Sequence, residues 1–209
     1  MGGRFGRTDL LVLCVVLIWA ATFSVIKFGL REIAPLPFAT VRFTVAALLL
    51  VAWVWLQEGA PVISRGDWVR VSIVGLTVIG MYQALFTLGI DYTTASNSSL
   101  MLASIPAWTA LFAVVSRQER LTRLQTAGII LSFFGVALAI RGRGEGLVLT
   151  SQSVRGDLMT LIAAALYGFG AVVSKPLLSR YSSLRMMSIA IVCGSVFLLL
   201  ISWPQIIEQ

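Results

Sequence analysis

The stretches DLLVLCVVLIWAATFSVIKFGL (9–30) and DLMTLIAAALYGFGAVVSKPLL (157–178) can be laid over each other without a gap, 148 positions apart. Asp9 meets Asp157, Leu10 meets Leu158, Trp19 meets Tyr167 and Lys27 meets Lys175. Further on, Trp55 meets Trp203. Each copy opens on an acidic residue, runs through a long apolar stretch, closes near a lysine and passes into a second apolar stretch. Leu on Leu carries little weight between two apolar helices; the aligned charges and aromatics carry more. Repeated hydrophobic segments of this kind are a mark of secondary transporters.

The rest of the chain fits an all-α, polytopic membrane bundle. Hydrophobic residues make up 58% and charged residues 12% of it, and its mean hydropathy is +0.92. A soluble chain would carry roughly twice that charge. The charges are segregated between apolar runs long enough to cross a hydrocarbon core at about 1.5 Å per residue. Seven spans are expected, near 10–29, 37–56, 68–90, 98–116, 124–140, 158–178 and 184–203. The first is too long, and too clearly echoed at Leu158, to be a cleaved signal peptide. Cys14 and Cys193 both lie inside apolar runs, so a bridge between them is not expected. The +7 net charge sits largely in short loops, where it sets orientation rather than marking a nucleic-acid partner.

With the N-terminus in the cytoplasm, Arg4, Arg7, Arg65, Arg70, Arg117, Arg120, Arg123, Arg180 and Arg185 face inward. Arg31, Arg141, Arg143 and Arg155 face outward. That excess favours a multi-pass protein of the inner (plasma) membrane with a cytoplasmic N-terminus. The expected organisation is a first repeat of five spans over 1–141, a Gly-rich polar linker over 142–156, and the start of a second repeat over 157–209. Five is odd, so the second copy begins on the opposite side and the copies are inverted, a 5+5 design with the solute path between them. A full second copy would end near position ~290, so the chain reads as a C-terminal truncation of a ten-span protein.

An ordered set of motifs resembles the EamA family of the drug/metabolite transporter superfamily. Trp19-Ala20 with Lys27 is similar to the family's first span, and Pro37 followed by Arg42 to the start of its second. ALFTLGIDYTTASNSSLMLASIPAWTALFAVV, with Pro106, resembles spans three and four. ERLT (119–122) and QTAGIILSFFGVALAI, with Gly128 and Gly135, resemble the entry to span five and that span itself. The resemblance is good over 9–141 and weaker over 157–203. It implies ten spans in a 5+5 inverted repeat, cytoplasmic termini and transport of small organic solutes.

Polar groups inside a span are costly in lipid and usually face protein or water. Trp19, Thr22, Phe23 and Lys27 share one face of span one and are read as a path-lining stripe, with Trp19 as a flat wall. The bland alternative is a packing face with Lys27 snorkelling to the interface. Tyr167, Ala171 and Lys175 repeat the pattern in span six. Arg42, with its permanent charge, is either an anion-binding or gating group at the outer mouth or an outward snorkel. Tyr82 and Gln83 point different ways, so one at most is expected to be central, and Tyr82 is the choice. Pro106 can kink or hinge span four. Ser96 and Asn97 are expected as N-caps of that span. Gly128, Ser132 and Gly135 are expected to allow close helix packing in the bundle or in a homodimer.

No histidine is present, which excludes a Ser-His dyad, histidine-ligated haem and His-rich zinc sites. No phosphate-binding loop or dinucleotide fingerprint appears. Catalytic residues, cofactors and metals are therefore not expected; the expected partners are a small organic or amino-acid-like solute and the lipid bilayer. The leading reading is a transporter, working by alternating access and in the export direction. A non-transporting membrane adaptor would instead fill the Trp19 and Tyr167 faces with side chains. A seven-span acyltransferase would need polar catalytic groups that the loops lack.

Overall fold

The computed structural model describes residues 6–141 and 151–207. Among these, α1 is Arg7–Gly29 and α2 is Pro35–Glu58. The third crossing joins a 3-10 turn (Arg65–Asp67), α3 (Trp68–Val74), a π-helical stretch (Gly75–Met81) and α4 (Tyr82–Tyr92). The fourth joins α5 (Ala95–Leu102) to α6 (Ile105–Val115). Then come α7 (Arg123–Arg141), α8 (Ser151–Leu178) and α9 (Ser183–Ile207). Every expected apolar run is largely helical, the fourth broken at 103–104. Six stretches among the described residues reach full crossing length; the fifth run, in α7, contributes a shorter apolar helix, Arg123–Leu138. The protein is thus a multi-pass helical bundle. α8 begins at Ser151, so the last part of the 142–156 linker is helical; 1–5, 142–150 and 208–209, with Arg4 and Arg143 of the orientation count, lie outside the described residues.

Local chemistry sets the helix ends. The N–H of Gly6 donates to Asp9 Oδ2 at 2.8 Å, covering one of the orphan donors at the start of α1. Pro35 and Pro37 open α2, where a missing N–H costs nothing. Gly59, at φ 76°, ends it in a conformation other residues resist. The cap of α5 is Thr94, whose side chain accepts the Asn97 N–H at 3.1 Å. This corrects the expectation of Ser96 or Asn97: the cap stands two residues before Ser96, and Asn97 supplies the donor.

The third crossing is the centre of the bundle, with 61% of its apolar window buried against 6% for α1. Glycine makes that centre dense. A Cβ on Gly156 would lie 2.5 Å from the carbonyl of Gly89, and one on Gly89 would lie 2.5 Å from Thr160 Oγ1, so α8 and α4 approach backbone to backbone. Gly168 abuts Trp108 and Thr109, and Gly75 and Gly194 seat α9 against the π stretch. Gly128 and Gly135 have nothing within 4 Å of a Cβ. Gly128 and Gly135 thus do not carry the close packing expected of them inside the bundle; α7 meets α6 instead through Phe133, whose ring lies edge-on to Trp108 at 4.8 Å.

α2 and α9 run antiparallel. Thr40 Oγ1 donates to Ser202 Oγ at 2.8 Å, Ser195 Oγ donates to the Phe43 carbonyl at 3.0 Å, and Arg185 pairs with Glu58 at 3.4 Å. That last pair lies at the same end of the bundle as Arg180–Asp67 and Lys175–Glu119. Each of these ion pairs joins the first five runs to the last two. Asp67 is buried and is also reached by Tyr181 Oη at 2.8 Å and Ser64 Oγ at 3.0 Å.

Candidate functional site

A half-open cavity of about 620 Å³ lies between α1, α2, the third and fourth crossings, α8 and α9, with Trp19 at its α1 edge 65% exposed. α1 contributes Trp19, Thr22 and Phe23, one helical face as the spacing requires. α2 contributes Arg42 and Phe43, the third crossing Val78, Ile79, Tyr82, Gln83 and Phe86, α8 Tyr167, and α9 Met187. The remaining wall is the break between α5 and α6, with Leu102, Ala103, Ile105 and Pro106. There the fourth crossing loses its helical ladder for two residues. Ser104 Oγ donates to the Met101 carbonyl at 2.6 Å, and Pro106, with no N–H to give, sits in the first turn of α6. Irregular backbone at membrane depth is tolerated where it borders a cavity. The π stretch, which supplies Val78 and Ile79 to the wall, is a further departure from regular helix, and such stretches recur at functional positions.

Aromatic rings line the interior. Tyr82 meets Tyr167 edge-on at 5.2 Å and lies parallel to Phe86 at 5.8 Å; Phe86 meets Phe23 edge-on at 5.6 Å. Arg42 holds its guanidinium over Phe38 at 5.4 Å and Phe43 at 5.6 Å. Its Nη1 is buried without a hydrogen-bond partner, and so is Oε1 of Gln83. Among the described residues no acidic side chain lines this cavity.

Of the nine residues expected to line a path, Trp19, Thr22, Phe23, Arg42, Tyr82, Pro106 and Tyr167 meet at this cavity. Lys27 and Lys175 do not. Lys27 Nζ donates to the carbonyls of Ile90, Asp91 and Thr93 at 2.6, 2.9 and 2.9 Å, closing the end of α4. Lys175 pairs with Glu119 at 2.5 Å on the bundle's ion-paired end. Gln83 joins Tyr82 on the wall, although the helical spacing suggested that only one of them would; at the end of the π stretch the side-chain directions no longer follow a regular helix. Phe86 follows Tyr82 by one turn and was legible on that spacing; Met187 carried no signal.

A second hollow, of about 450 Å³ and almost wholly apolar, lies on the α2–α9 seam. Thr44, Ala47, Leu48 and Val51 line one wall, and Val192, Ser195, Val196 and Leu199 the other.

Residues 6–141 match the EamA-like transporter family. An uncharacterized transporter of Archaeoglobus fulgidus is 31% identical over 92% of this chain and 66% of its own length. A probable terminal-alkyne amino-acid exporter of Streptantibioticus cattleyicolor is 32% identical over 90% of this chain and 61% of its own. A probable amino-acid metabolite efflux pump of Escherichia coli is 29% identical over 88% and 59% respectively. The chain thus spans 59 to 66% of the length of these curated relatives. No solved structure matches. The matched family and the relatives are named as transporters and not as enzymes, and the chain belongs to the EamA-like transporter family.

Proposed function

We propose that the protein exports a small organic, amino-acid-like solute across the inner membrane through the central cavity, by alternating access between two inverted repeats, with its N-terminus in the cytoplasm. The observation that carries this reading is the shared cavity wall of Trp19 and Tyr167, which occupy equivalent positions of the two sequence copies. An adaptor would fill those faces; a space of about 620 Å³ supports a carrier. Two relatives are named for amino-acid or amino-acid metabolite export.

The α2–α9 seam supports the inversion. Thr44, Ala47, Leu48 and Val51 are the sequence equivalents of Val192, Ser195, Val196 and Leu199, 148 positions on, and the two sets face each other across the seam hollow. An antiparallel pair of equivalent helices lined by equivalent residues is what a twofold axis in the membrane plane produces. The same axis makes α1 the counterpart of α8. α8 is packed against the third and fourth crossings, so in a 5+5 protein α1 packs against the corresponding helices of the second repeat.

The test is export by cells carrying the intact protein. Trp19→Ala lowers export at near-normal membrane abundance, while Leu49→Ala, on the exposed face of α2, leaves it unchanged. Normal export by Trp19→Ala places the path elsewhere.

A further inference from the structure

We propose that the cavity reads the carboxylate of its solute and not the ammonium, so that the preferred occupant is an apolar or aromatic monocarboxylate of net charge −1, an N-acylated amino acid being accepted at least as well as a free one. The inference rests on the central cavity being the solute site. Arg42 brings a permanent positive charge to that wall, held between two phenyl rings, and leaves buried Nη1 without a partner. A guanidinium nitrogen left without a partner inside the bundle is costly, and a planar carboxylate matches its fork. Among the described residues no Asp or Glu lines the space to balance the charge, and a carboxylate brought by the solute balances it. The ammonium of a free amino acid meets no carboxylate among the described lining residues. The unpaired Oε1 of Gln83 accepts one N–H, which an acylated amine still provides. The walls from Phe23, Phe43, Phe86, Ile79 and Leu102 suit an apolar body. A cationic amide or amine would place a second positive charge beside Arg42 and offer nothing to Nη1.

Binding to the purified, detergent-solubilised intact protein tests this, followed by isothermal calorimetry with N-acetyl-L-leucine, L-leucine and L-leucinamide. The expected order is N-acetyl-leucine at least as tight as leucine, with leucinamide weaker by roughly tenfold or more, the scale of a lost charge-assisted hydrogen bond. Arg42→Gln removes that discrimination, and Arg42→Lys retains part of it; if Arg42→Gln proves unstable, a lower carboxylate preference in Arg42→Lys is the expected result. The inference is overturned by leucinamide binding as well as N-acetyl-leucine, by none of the three binding, or by an unchanged order in both Arg42 variants. Ala103→Trp, which fills the cavity, separates the two ideas. If it abolishes all binding while the Arg42 variants keep the wild-type order, the cavity stands and the carboxylate reading falls. If it changes nothing, the cavity itself is not the site.

Discussion

The ring of Tyr82 meets the ring of Tyr167 edge-on, 5.2 Å between centroids, at the wall of the central cavity. Tyr82 stands at the end of the π stretch in the third crossing, and Tyr167 stands on α8, in the second sequence copy. Such aromatic pairs contribute about 0.5–1.5 kcal/mol beyond the area they bury. This one joins the third crossing to α8 at the cavity, so under the proposed rocking of one repeat against the other it would have to shift or break.

Inversion has a direct topological test. Arg31 and Ser179 are equivalent positions of the two copies, and both are exposed. With Cys14 and Cys193 replaced by serine, Arg31→Cys is labelled by an impermeant thiol reagent from outside the cell, and Ser179→Cys only after permeabilisation. Labelling of both from one side contradicts inverted copies.

The two equivalent lysines differ in stability. Lys27 donates to three main-chain carbonyls at the end of α4, where the helical ladder runs out. Lys27→Met therefore lowers stability by about 1–3 kcal/mol, the scale of hydrogen bonds from a charged donor. Lys175 and Glu119 are both more than half exposed, so Lys175→Met costs about 0–1 kcal/mol. Thermal unfolding of the detergent-solubilised protein reads both. Equal losses in the two variants overturn the assignment of Lys27 as the clamp.

Glycine substitutions separate the dense seam from the periphery. Gly156→Ala forces a Cβ against the Gly89 carbonyl and the Thr93 backbone, an overpacking that costs about 1–3 kcal/mol. Gly128→Ala meets nothing and gains helix propensity of up to about 1 kcal/mol. Membrane abundance and melting temperature fall in the first variant and hold or rise in the second.

The sequence made the helices legible because long apolar runs between charge clusters have few other solutions in a membrane. It also made one wall of the site legible, since Trp19, Thr22 and Phe23 share a face by spacing alone. What stayed hidden depends on which helices adjoin. Lys27 finds its partners more than 60 positions away. Gly128 and Gly135 have a spacing that suits helix packing but no neighbour, while Gly156 and Gly168 gain their role from α8 lying in the middle of the bundle. Gln83 entered the cavity wall beside Tyr82 next to a local change in helical register, which apolar periodicity does not report.

The central claim is that one cavity, shared by both copies, is the solute path. In the cysteine-free background, Trp19→Cys and Tyr167→Cys are treated with a small hydrophilic methanethiosulfonate reagent, with Leu49→Cys, on the exposed face of α2, as control. Both cavity positions are predicted to react, to be protected by bound solute, and to lose transport on modification, while Leu49→Cys does none of these. Unreactive cavity positions, or full transport after both have been modified, would contradict the account.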